Sequence, residues 1–75
     1  MTTLATYTHT QNTLSSTWVI THNLNTTNIN IDVIVEYNSS LEKILPNAIE
    51  VVDSNTVHVV FTNSFIGSAR IAGSV

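Results

Sequence analysis

Ile29-Asn30-Ile31-Asp32-Val33-Ile34-Val35-Glu36-Tyr37 is the stretch that decides the fold class. Ile29, Ile31, Val33, Val35 and Tyr37 take every second position. Asn30, Asp32 and Glu36 lie between them, and Ile34 is the one apolar exception. A period of two is the mark of a half-buried β-strand, with one face on the core and one toward solvent. Ile34, on the face opposite the core, is free to touch a neighbouring subunit.

Working outward, Ser16–Asn23 (STWVITHN) alternates as well, with Trp18, Ile20 and His22 on one face. The Asn-rich stretch after it reads as a turn, because Asn tolerates the left-handed conformation that turns require. Asn38, Ser39 and Ser40 form the next turn. A short strand over 43–45 stops at Pro46, which has no N–H to give to a ladder. AIEVVD and TVHVVF then flank Ser54-Asn55 and read as a β-hairpin. Its core face is expected to carry Ile49 and Val51 on one arm and Val57, Val59 and Phe61 on the other. TNSFIG reads as a loop, and 68–72 as a last strand. The first fifteen residues are rich in Thr, Asn and Ser without a clean period. We expect an extended arm or edge strand over 1–15 and a single β-domain over 16–75, with regular order from Ser16. Pro46 breaks the one candidate helix. The expectation is a small antiparallel β-sandwich or open barrel of five to six strands with an extended N-terminal arm.

Composition narrows the function. The chain has 75 residues, no cysteine and no zinc-ligand spacing. Domains this small, without such staples, often gain stability by oligomerising. Only 9% of residues are charged, against about 25% in ordinary domains. Thr, Asn and Ser take their place, giving a surface that forms hydrogen bonds yet is cheap to desolvate. Net charge is −3 and the only cations are Lys43 and Arg70, which disfavours a nucleic-acid partner. No apolar run approaches the ~20 residues of a membrane span, and MTTLATYTHT has neither the basic nor the apolar region of a secretory signal.

No catalytic constellation is legible. His9, His22 and His58 are not spaced as metal ligands. The serines lie in no nucleophile-elbow pattern. Asp32 and Glu36 share a strand face, but a domain this small offers little pocket for paired-carboxylate chemistry. The expectation is therefore a protein that is not an enzyme and has no cofactor and no metal. Trp18 alternates with Ile20 and is expected to anchor the core. His22 and Asn23 are expected to pin the turn after their strand. Tyr7, in the arm, is the better candidate for an exposed aromatic that stacks on a sugar.

Tyr7, His9 and Gln11, then Trp18, Ile20, His22, Asn23 and Leu24, then Pro46, Phe61, Gly67, Ala69 and Ile71 together form a pattern. It resembles a small β-rich module of bacteriophage tail-fibre and other virion structural proteins, over nearly the whole chain. That module often carries Gly after His-Asn-Leu, where this chain has Asn25. The resemblance implies a virion location after synthesis in the host cytoplasm, repeated copies, and a homo-oligomer, most naturally a trimer. It also implies docking on other virion proteins such as a capsid or tail scaffold. A chain running from Met1 to Val75 suggests an entire small protein, which favours a capsid decoration (cement) protein or small fibre component. Leu4, Tyr7, Ile34 and Phe65 are the expected intersubunit contacts, and Trp18, His22, Asn23 and Leu24 the structural signature. The alternative is a receptor- or carbohydrate-binding module at a fibre tip.

Overall fold

The computed structural model describes residues 4–74. Residues 1–3 of the expected arm and residue 75 of the expected β-domain lie outside the described residues. The chain is all-β: β1 (Leu4–Thr21), β2 (Ile29–Tyr37), β3 (Ser40–Ile44), β4 (Ala48–Asp53) and β5 (Thr56–Ser74). They form one antiparallel sheet that does not close.

The sheet is built on β5. Its first half lies between β1 and β4, and its second half between β1 and β2, with β3 outside β2. The β1–β5 ladder runs from Leu4↔Ser74 to Thr21↔Thr56 and is broken once, in the middle. There the register passes from Gln11↔Gly67 to Ser15↔Phe65 to Thr17↔Val60, so first β1 and then β5 carries surplus residues. Surplus residues bend a strand and sharpen its twist. The bend folds the sheet over, and the loop 22–28 ties the two ends of β5 together. His22 and Asn23 donate their backbone N–H to Asn55 O (2.8 and 3.3 Å), and Thr26 donates to Ser54 O (2.8 Å). At the other end, Ser74 N–H donates to Asn28 O (3.0 Å).

The core fills the concave face so made. Cross-strand partners share a face, and here they are apolar: Trp18↔Val59, Ile20↔Val57 and Val33↔Ala69. Trp18, Ile20, Val57, Val59 and Ile71 are fully buried, as Val33 and Val35 nearly are. Phe61 packs edge-on against Trp18, with ring centroids 4.8 Å apart. Trp18 also holds the bend, because its Nε1–H is shared between Ser15 O and Phe65 O, both at 3.2 Å.

Four readings need correction. Of the two alternatives for the N-terminal segment the edge strand is the one seen, but regular structure starts at Leu4 rather than Ser16, because 4–11 finds a ladder partner in β5. TNSFIG is no loop: it is the bulged middle of β5, where the strand turns the corner without leaving the sheet. The short strand before Pro46 is β3, and it begins earlier, at Ser40. Ile49 and Val51 face the concave side in register with Val59 and Val57, yet are 42% and 46% exposed. Tyr37 stands at the end of β2 and is exposed too.

The turns follow local chemistry. Asn23 and Asn25 have φ of 56° and 54°, the left-handed conformation read for Asn in this loop. Asn38 and Ser39 have φ of 50° and 64° and join β2 to β3 in two residues, a type I′ hairpin.

Candidate interaction surfaces

The histidines do not converge. His9 Nε2 lies 2.7 Å from Gln11 Oε1 and its ring sits 6.1 Å from that of Trp18, so it lids the core at the bend. His58 is on the convex face of β5, with Nδ1 3.7 Å from Glu50 Oε1. His22 is buried, and its Nδ1 accepts the Leu24 N–H at 3.0 Å. That bond fixes the first turn of the loop 22–28 and leaves His22 Nε2 buried without a partner. Among the described residues, no three His, Cys, Asp or Glu side chains come together as metal ligands would.

The carboxylates do not pair either. Lys43 Nζ reaches Asp32 Oδ1 at 3.3 Å on the convex face. Glu36, on the same face, lines a shallow groove of about 310 Å³ with Thr10, Gln11, Ile34, Leu41 and Ser68. Gln11 donates Nε2–H to Thr13 O (2.9 Å). The groove therefore presents one free carboxylate on an apolar floor.

What the surface does present is apolar side chains. Leu4, Tyr7, Leu14, Val19, Ile34, Tyr37, Leu41, Leu45, Ile49, Val51 and Val52 are all exposed, and eleven such residues outnumber the two cations and five carboxylates of the whole chain. The total surface is ordinary: 4760 Å² against about 4500 Å² for a monomer of this mass. Its coating is not ordinary.

Of the contacts expected from sequence, Leu4 is 66% exposed and Tyr7 and Ile34 are 38% exposed. They lie on different faces. Tyr7 is on the concave side opposite Ile71, whereas Ile34 is on the convex side opposite Ser68. Phe65 is half-buried and its ring is committed to Phe61, with centroids 5.4 Å apart. Leu24 is half-buried and packs against the core. Sequence reasoning missed Leu41 and Leu45, exposed at 74% and 94%, and Val19 on β1. No protein family, curated protein or solved structure matches the chain.

Proposed function

We propose that this chain is a self-associating structural protein of a bacteriophage virion, acting as a capsid decoration (cement) protein or as a tail-fibre or appendage component. One observation carries the self-association: a surface with more large apolar side chains than charged ones. A surface so rich in large apolar side chains and so poor in charge favours contact with other protein, since interface cores are depleted in charge. The concave face adds to this, since Ile49 and Val51 point inward with no second layer over them. A standard interface takes about 800 Å² from each partner, roughly a sixth of this surface. The phage assignment rests on the sequence resemblance alone.

The mechanism is burial of exposed strand faces, first between copies and then against a larger scaffold. Neutral Thr, Asn and Ser side chains at the rim keep their hydrogen bonds at little desolvation cost. The carbohydrate reading has less support, because the Trp18 ring is wholly buried.

The test has two arms. Light scattering at micromolar concentration should give a multiple of 8.2 kDa. Cosedimentation with phage particles lacking the protein should recover it in the particle fraction. A monomer that stays in the supernatant would refute the assignment.

A further inference from the structure

Among the described residues the sheet has three free edges, β1, β3 and β4, because β5 and β2 have neighbours on both sides. Free edges invite pairing with other chains, and proteins block them with charge, proline, bulges or shortness. β3 has five residues, carries Glu42 and Lys43, and is followed closely by Pro46. β4 has six residues, carries Glu50 and Asp53, and has a register shift between Val51 and Asp53. β1 has eighteen residues with no charge, no proline and no glycine. Its one defence is the bend, and the run 4–11 ahead of it pairs with β5 in unbroken register. That run is Leu-Ala-Thr-Tyr-Thr-His-Thr-Gln.

We propose that two copies join along 4–11 of β1, antiparallel, across a two-fold axis near Tyr7; this rests on the self-association argued above and names its surface. The partner is a second copy because of charge. A two-fold contact sets each strand against its own mate, so a charge near the axis opposes itself, and like charges facing across strands repel. An axis at Glu50 or Asp53 of β4, or at Glu42 or Lys43 of β3, would set that charge against its own mate, and strands of six and five residues leave few other axes. β1 alone meets itself without such a conflict. Tyr7 lies mid-run on the concave face, and the axis makes the two Tyr7 side chains cross-strand neighbours, a pairing that stabilises sheets. Leu4 at the end of each run gains cover from the other copy. The four-stranded part of the sheet becomes eight-stranded, in the order β3-β2-β5-β1-β1-β5-β2-β3.

The experiment is a mass measurement on wild type and three variants. Thr6 and Thr10 are exposed on the convex face, so T6K/T10K keeps the fold, which circular dichroism checks. It places four lysines along the joined edge. The dissociation constant should rise on the order of a hundredfold, giving monomer where wild type is dimer. Glu50→Lys, on the β4 edge, should leave the dimer intact. The chain has no cysteine, and an axis at Tyr7 sets Thr6 of one copy opposite Thr8 of the other, so the T6C/T8C variant should crosslink to its mate under mild oxidation. Three results would overturn β1 pairing and leave self-association standing: an assembly that survives T6K/T10K, one that E50K dissolves instead, or an odd order such as the trimer implied by the resemblance. A wild-type monomer at every concentration would overturn both.

Discussion

Alanine at Gly67 should nearly unfold the protein. Gly67 sits at the bend of β5 with φ of 156°, a backbone region that side chains rarely adopt; placing one there costs about 1–3 kcal/mol. The larger cost is steric. A Cβ on Gly67 would run into the carbonyl oxygen of Ile34 and stand 2.8 Å from Val35 Cα, all backbone atoms of β2. No rotamer change relieves that. β2 must step back by about 1 Å to reach ordinary contact, which strains the ladder bonds on either side, each worth about 1 kcal/mol. The sum is about 3–5 kcal/mol, against about 4–11 kcal/mol for a whole domain of this size. Gly73→Ala is the internal comparison. Its Cβ would meet side-chain methyls, Thr26 Cγ2 at 2.8 Å and Leu24 Cδ1 at 3.2 Å, which can turn aside. That variant should lose only about 1–2 kcal/mol. Urea unfolding followed by Trp18 fluorescence measures both, at one fixed protein concentration because association adds to apparent stability. A Gly67→Ala protein no less stable than Gly73→Ala would refute the close-approach argument.

Two further outcomes follow from local geometry. Ser39→Gly should stabilise the protein by about 0.5–1 kcal/mol, because Ser39 holds φ of 64° in a turn that favours Asn-Gly; thermal melting should show a rise of a few degrees. Trp18→Phe removes the Nε1–H that bridges Ser15 O and Phe65 O and should cost about 2 kcal/mol, with Trp18→Ala costing about 3–5 kcal/mol. Melting by circular dichroism checks both, and a Trp18→Phe variant as stable as wild type would mean that the bend does not depend on that bridge.

The parts of the fold that were legible in sequence are those where one strand carries its own evidence. The alternation of 29–37, the Ser54-Asn55 hairpin and the anchoring role of Trp18 are all local patterns. The misread parts depend on a distant partner. The run 4–11 has no apolar face to decide between an arm and an edge strand, and it is an edge strand because β5 offers it a ladder. Thr62, Asn63 and Ser64 look like loop residues and are exposed on the bulge, yet Phe61 and Phe65 on either side turn inward. Alternation places Ile49 and Val51 on the correct face, but it cannot say whether anything lies over that face. The same limit applies to the contact surface. Ile34 stood out as an apolar residue on a polar face, whereas Leu41 and Leu45 lie in short segments without a period to depart from. The uncharged edge of β1 is written in the sequence, but only the sheet order shows that it is an edge.

The central position of β5 also sets the order in which the chain can fold. β1, β2 and β4 all pair with the last of the five strands, and only β2–β3 and β4–β5 join immediate neighbours. On the ribosome, β1 emerges ahead of the other four strands and waits for all of them before Ser74 arrives opposite Leu4. Ladders that span such separations form slowly, because loop closure comes before any contact rewards it. Throughout that wait the uncharged strand is unpaired on both sides, and nascent copies on neighbouring ribosomes carry the same strand. Slow synthesis at low temperature, or a chaperone that holds β1, should raise the yield of folded protein, since the strand suited to joining finished copies is also the one that tangles unfinished ones.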